Sequence, residues 1–461
     1  MATWPHSIPA PQTCRKPEKC NRLAEVQFLL PDKSAGRSNI RRRRVSAAAA
    51  GLLTLALPLG CHRNRFPDIP AGYREFAYVS NGTANTVSVL DLVYLRQDRT
   101  LQVGAQPTGV AANPTRNEVY VVNTGPAWGN GSVSVIDTIA NHVVATIPVH
   151  RQPYLIDVDA AGHRAYVANS GSNSVSVIDL DQRREIGVAG TGEQPGLARI
   201  SPDMRSLVVT NRRSGSVSVF AVMPYAVSDE DRGLIPKPKP APRSQPQLPR
   251  LRAVFNGCPG ATDAVILRDS SKAFIACSGG HQVMVVSLAA APDSLAAKQD
   301  PSLLTDHLLT LLDVGDTPVQ LALKPDGGEI FCSNFGSGSF SEIETGNNEV
   351  QGTYPIGDKP AYAIVSSDNS TLWVSNFGAD SVNVWSIDDG MQGGIVRVPT
   401  GPAPDALAFS ADEHLLLAAD THSGDVSVIR TADKNGPALF TILPAGGSPN
   451  AIAVKAMMGK P

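Results

Sequence analysis

The chain has 461 residues, a formal net charge of -2 and 18 % charged residues, with a pI near 6.5. That balance supplies no basic field, so nucleic acid is not an expected partner. The length allows a large core, and 40 Gly and 36 Pro beside only 5 % aromatics point to many short strands joined by tight turns.

Residues 1–40 are polar, Pro-containing and without pattern. RRRR at 41–44 precedes an uncharged run from Val45 to Gly60, VSAAAAGLLTLALPLG, and Cys61 follows. The run is short for a membrane span, which needs about 20 residues. A basic head, a short apolar body and small residues before the break describe an export signal. The end, LPLGC, resembles a bacterial lipobox, which implies that Cys61 becomes the lipidated first residue. Ordinary signal cleavage nearby is the alternative, and the paired arginines also allow twin-arginine export. The expected organisation is a leader over 1–60, a tether over 61–72, a repeat domain over 73–457 and a tail over 458–461. The expected location is outside the cytoplasm, periplasmic or at the cell envelope, with membrane contact only through the lipid.

Beyond Tyr73 one pattern recurs. A strand ending in Asn reads YVSN (78–81), YVVN (120–123), YVAN (166–169) and VVTN (208–211), then FIAC (274–277), FCSN (331–334), WVSN (373–376) and LAAD (417–420). After a Gly/Ser/Asn turn a second strand follows, as in VSVLD, VSVID or VSVFA, beginning six residues past the Asn position in seven of the eight copies. The exception follows Asn123, where GPAWGNG lengthens the turn. A third strand closes each unit at Gly104, His150, Gly190, Gly257, Gly315, Gly357, Gly401 or Gly446, and a Pro soon opens a small apolar strand such as GVAA, LALK or AIAV. Four short antiparallel strands at a period of roughly 42–46 residues make a propeller blade.

The YVxN–turn–VSVID signature resembles the YVTN-repeat β-propellers, a family that overlaps the lactonase-like and YncE-like propellers. The resemblance covers about residues 73–457. It implies an all-β propeller, and eight copies give eight blades; seven blades, with blade 5 as an irregular insert, is the alternative. The first hairpin, 75–103, lacks a Pro-led strand, and the end, GGSPNAIAVKAM, is a Pro-led strand lacking a hairpin. Joining the two ends completes the ring and hides both sheet edges. In this frame the closing blade is blade 1, and blades 2–8 follow in chain order. The Gly before each Pro-led strand is expected to adopt a positive φ.

Function is sought where the repeat breaks. Four residues after the Pro, most inner strands carry Ala or Ile, but blades 3, 4 and 5 carry Asp157, Arg199 and Asp263. Two residues after the Pro, blades 6 and 7 carry Gln320 and Tyr362. By period-2 alternation these five share a face, taken as the central channel. They form either a salt-bridge network or a seat for a small polar ligand. On the rim shared by hairpin tips and blade-to-blade turns stand His150, Arg151, Glu193, His281 and His422, with Trp128, Arg212, Arg213, Phe335 and Phe377. The histidines fall on blades 2, 5 and 8, a spread that suits no compact metal set, so no metal is expected.

Cys277 replaces the repeat Asn of blade 5 and Cys258 precedes Pro259, which places the two side by side as a disulfide. Cys332 is expected as a buried free thiol. With no CxxC or CxxCH in the sequence, haem attachment is unsupported and no cofactor is expected. Insertions near 224–250, with IPKPKPAPRSQPQLP, and 289–307, where one short helix fits, leave the opposite rim. No G-x-S-x-G, HExxH or P-loop occurs. The leading expectation is a monomeric binding or scaffold propeller for a protein, a cell-envelope partner or a small polar ligand. The alternative is a lactonase-like hydrolase or lyase at the channel mouth, drawing its acid and base from His150, His281, His422, Glu193, Asp157 and Asp263. A redox-partner role ranks last.

Overall fold

A computed structural model describes residues 69–222, 248–390, 393–432 and 436–458. The leader, Cys61 and most of the first insertion lie outside the described residues. Within them the chain forms eight four-stranded antiparallel sheets. Blades 2 to 8 span 107–151, 153–190, 195–256, 261–313, 318–355, 360–399 and 404–444, each running from its inner strand outward. Blade 1 takes three strands from Tyr73–Asn81, Thr86–Asp91 and Arg96–Gln102, and its inner strand from Pro449–Met458. The last strand pairs with the first from Tyr73↔Met458 to Asn81↔Pro449, so the ring cannot open without exposing a full ladder. Blade 5 is a complete sheet, which removes the seven-bladed alternative.

The blades hold together through side chains that alternation sends to opposite faces. Tyr120 of blade 2 packs with Ile156 and Val167 of blade 3. Tyr166 packs with Ala198 and Leu207 of blade 4, and Trp373 of blade 7 with Leu407 and Leu416 of blade 8. Each such side chain contributes about 1.5–3 kcal/mol by leaving water. The buried Tyr120 hydroxyl is satisfied locally: it donates to Glu118 at 2.7 Å and accepts from Asn113 at 2.9 Å.

The turns into the inner strands correct one expectation. Of the closing glycines only Gly257 and Gly357 have positive φ; Gly104, Gly190, Gly315, Gly401 and Gly446 do not, and the left-handed conformation belongs instead to the residue just before the Pro, namely Gln106, Gln152, Gln194, Thr317, Lys359, Ala403 and Ser448. The left-handed residue turns its carbonyl toward the hairpin, where it accepts the N–H of the residue after the Asn, as in Thr124 to Gln106 (3.0 Å) and Phe335 to Thr317 (2.9 Å). In blade 5 Ser278 donates to Gly260 in the same way. The inner strand of blade 5 therefore begins at Ala261, paired with Cys277 as Pro195 is with Asn211. Pro259 lies two residues ahead of the equivalent position.

The second insertion holds a short helix, Leu295–Gln299, capped by Ser294, and a 3-10 turn, Pro301–Leu304. Asp306, at its end, binds Arg252 of blade 4 through two contacts of 2.8 and 2.7 Å.

Candidate functional site

The five inner-strand residues come together, though on a different surface from the one the alternation suggested. Their face looks at the next blade, and the side chains lie in the seams between adjacent inner strands, bordering the channel. Asp157 accepts the N–H of Ile200 in blade 4 (2.9 Å). Arg199 donates Nε to the Ala264 carbonyl of blade 5 (3.3 Å). Asp263 accepts the N–H of Leu321 in blade 6 (2.9 Å), and Gln320 accepts that of Ala363 in blade 7 (2.9 Å). From blade 3 to blade 6 these four side chains thus each clasp the backbone of the following blade.

The register of blade 5 moves Asp263 in the frame. It aligns with Gln320 and Tyr362, two residues earlier than Asp157 and Arg199; Val265 holds the latter position, opposite Phe274. Arg199 still lies between both carboxylates, 3.3 Å from Asp157 and 3.8 Å from Asp263. Burial disfavours its charge, but the two carboxylates overcome this and hold the guanidinium above its ordinary value. Burial also raises the Asp263 carboxyl, more than Arg199 and the Leu321 and Ala264 N–H groups lower it. The Tyr362 hydroxyl is raised by burial and then by Asp263.

Below this cluster, where the inner strands of blades 2 to 6 end, the channel opens into a cavity of about 470 Å³. Its wall is mostly apolar, with Val158, Ile200, Val265, Ile266 and Leu323, and Asp157 and Arg199 supply charge. Arg199 is 36 % exposed and engages only two of its five N–H donors in the bonds above. A mostly apolar hollow with a few aimed polar groups is the usual form of a small-molecule site.

The rim histidines do not converge. His150 lies 3.5 Å from Glu185 on the outer strand of blade 3. His281 lies 3.4 Å from Asp316 in the exposed turn to blade 6, and His422 stacks edge-on to Phe377 at 5.3 Å. Glu193 meets Arg213 at 3.5 Å, and Arg151 donates its N–H to Ser172. Among the described residues no group of three His, Cys, Asp or Glu is placed to hold a metal. Cys258 and Cys277 are joined by a disulfide, their Cα atoms 4.7 Å apart, and Cys332 is a buried free thiol.

Sequence reasoning missed two rim features. Hydroxyls just past the repeat Asn tie blade to blade: Thr124, Ser170 and Thr421 donate to the carbonyls of Pro153, Pro195 and Pro449. Asp405, next to Pro404 at the head of the inner strand of blade 8, is raised by burial alone. Its signal was available, as an acid in the otherwise apolar PDALAF.

Eight four-stranded sheets built on a recurrent YVxN-like hairpin, closed by pairing the first and last described strands, define an eight-bladed β-propeller. Residues 329–452 match the family model "Lactonase, 7-bladed beta-propeller", although this chain has eight blades. The YncE proteins of Salmonella typhi and Salmonella typhimurium are 27 % identical over 158 residues, 32 % of this chain and 43 % of theirs. The chain therefore matches less than half the length of these curated relatives. Among solved structures it resembles dihydro-heme d1 dehydrogenase NirN (15 % identity, TM-score 0.63, covering 85 % of this chain and 77 % of that one). It also resembles AztD from Citrobacter koseri (12 % identity, TM-score 0.56, covering 84 % and 100 %). Both likenesses concern the fold. By repeat and architecture the chain is similar to the lactonase-like and YncE-like β-propellers.

Proposed function

We propose that the propeller is a binding module whose seat is the cavity under Arg199, taking a small neutral molecule with an apolar body and a carbonyl or hydroxyl acceptor. The observation that carries this is how the channel charges are used. Asp157 and Asp263 each face Arg199 and also hold a backbone N–H of the next blade, which commits both carboxylates to structure, and the Gln320 amide, which holds another, is no base. Two carboxylates around one guanidinium leave the cluster net negative, which disfavours an anion. The remaining N–H donors of Arg199 suit an uncharged acceptor.

A hydrolase at the channel mouth is the second reading, favoured by the match of residues 329–452 to the lactonase model. One experiment separates the two. Glucono-δ-lactone and δ-valerolactone are offered to the wild type and to Arg199→Leu, with the melting temperature and acid release followed together. Binding alone predicts a thermal shift that Arg199→Leu loses, without acid release in either protein. Acid release that vanishes in Arg199→Leu would establish the hydrolase instead.

The same reading places the protein outside the cytoplasm, anchored through Cys61. Its supports are the basic-then-apolar stretch 41–60 and the Cys258–Cys277 disulfide, a bond that persists in oxidising compartments. Labelled palmitate is expected to enter the wild-type chain and not Cys61→Ser; equal labelling of both removes the anchor.

A further inference from the structure

The outer strands are the eight free edges of the ring, and an unguarded edge recruits another strand. Seven of the eight are guarded. Blades 1, 3 and 4 set a charged residue inside the outer strand, as at Arg252, and blades 2, 6, 7 and 8 place a Pro in it, as at Pro148. Blade 5 does neither. Its outer strand, His307–Asp313, reads HLLTLLD, with no charge and no Pro between its ends. Leu308, Leu309 and Leu311 are 43, 37 and 38 % exposed. Blade 8 has the nearest sequence, ALFTILP, yet there Arg430 lies 3.9 Å over the Phe440 ring and the strand ends on Pro444. The blade 5 strand is firmly placed. Asp306, just before it, takes two contacts from Arg252 and the Ala289 N–H, and Leu312 is buried in the seam to blade 6.

We propose that the blade 5 edge is a self-association surface, on which two copies of this chain meet with their His307–Asp313 strands antiparallel about a two-fold axis at Thr310. In that arrangement the sequence complements itself. His307 of one copy meets Asp313 of the other, and Leu309 meets Leu311, each contact made twice, as an isologous interface requires. A parallel pairing would instead set Asp313 against Asp313, which is unfavourable. Both end residues are already positioned: Gln282 donates to Asp313 at 2.8 Å, and the His307 ring lies 3.2 Å from the Thr305 carbonyl. A carboxylate still has lone pairs for a second donor. Leu309 is the extra residue of a bulge between Leu308 and Thr310, which bends the edge, so side chains rather than a full ladder make the contact. Seven residues at about 3.3 Å each span about 23 Å. That is small for an obligate interface, so the dimer is reversible, with a dissociation constant on the order of 10 μM. The contact lies on the outside of the ring and rests on nothing assigned to the cavity under Arg199.

The test is sedimentation velocity of the intact protein from about 1 to about 200 μM. Wild type is expected to pass from monomer to dimer across that range. Leu309→Lys/Leu311→Lys should stay monomeric throughout, with the melting temperature of wild type, because both side chains are exposed. His307→Asp sets two like-charge pairs across the axis and should weaken the dimer by about tenfold or more. Adding Asp313→Lys to it restores opposite charges and should bring the dissociation constant back to within about threefold of wild type. That recovery is specific to the antiparallel arrangement, and if the leucine variant does not fold, the charge exchange decides alone. A wild type that stays monomeric, a dimer that survives Leu309→Lys/Leu311→Lys, or no recovery in His307→Asp/Asp313→Lys overturns the proposal.

Discussion

Blade 5 and its seven siblings solve one problem by different chemistry. At the upper end of every blade the second strand must be held to the third strand and to the turn that arrives from the preceding blade. Asn81, Asn123, Asn169, Asn211 and Asn334 do this with the amide, donating to two hydroxyls of the third strand, as Asn169 does to Ser174 (3.4 Å) and Ser176 (2.8 Å). Blade 5 has Gln282 and Met284 where blade 3 has those serines. An Asn there would find no hydroxyl pair. The covalent Cys258–Cys277 bond occupies the place of this clasp, and Cys258 stands three residues before Ala261, as Gly104 stands before Pro107. Blade 7 keeps Asn376, but its amide donates to the Val374 carbonyl of its own strand (3.4 Å), and in blade 8 Asp420 replaces the Asn and accepts from Ser427 at 2.7 Å.

The largest expected effect separates blade 8 from the Asn blades. Burial, opposed by Ser427 and by the N–H groups of Gly401 and Ser427, raises the Asp420 carboxyl from 3.8 to about 7. A carboxyl that holds its proton more tightly when folded favours the folded state at low pH. That contribution is full below about pH 4 and is lost as pH rises toward 7. Asp420→Asn restores the sibling amide and removes the titration. In urea titrations the variant should match wild type at pH 4 and exceed it by about 3–4 kcal/mol at pH 8. A pH-independent difference would mean that Asp420 is not the group responsible.

Blade 5 should respond next. Opening its disulfide releases a loop with a sequence separation of 19, so Cys258→Ser/Cys277→Ser should lose about 3 kcal/mol. Putting back the sibling residue should not help, because the acceptors are missing: Cys258→Ser/Cys277→Asn is expected to be no more stable than the double serine. Rescue by Asn in guanidinium unfolding would break the comparison, since the clasp would then not depend on third-strand hydroxyls.

Repeat length, blade number, terminal closure and the Cys258–Cys277 contact were legible because each follows from spacing along strands of fixed period. The frame of blade 5 was not. Its Pro stands two residues early, and the feature that marks the start of the inner strand is a left-handed residue, Gly260 there and Gln, Thr, Lys, Ala or Ser elsewhere, which no residue type announces. Alternation also assigned Asp157, Arg199 and Asp263 to one face without saying which body that face meets. Only the ring geometry turns them onto the neighbouring inner strands. The aromatic line from Phe335 to His422 was readable as rim residues, whereas its continuity across blades rests on ring distances of 6.3 and 5.3 Å.

The smallest effect tests what the repeated glycine does. A Cβ on Gly104 would lie 2.7 Å from the Cβ and Cγ of buried Asn123, and one on Gly192 would lie 2.8 Å from Asn211. At Gly104 and Gly192 glycine is therefore needed for close approach to the clasping Asn, three residues ahead of the Pro, rather than for a positive φ, whereas Gly357 combines both demands. Gly190, which ends its strand as Gly104 follows its own, has nothing within 4 Å of a Cβ. Gly104→Ala must push the Asn123 amide off Ser132 and Ser134, at a cost of about 2 kcal/mol. Gly190→Ala should stay within about 0.5 kcal/mol of wild type or gain slightly, since a strand residue loses less entropy as Ala than as Gly. Thermal unfolding of the two variants side by side checks this. Equal destabilisation would return the glycines to a backbone role, and with it the simpler picture in which every blade ends the same way.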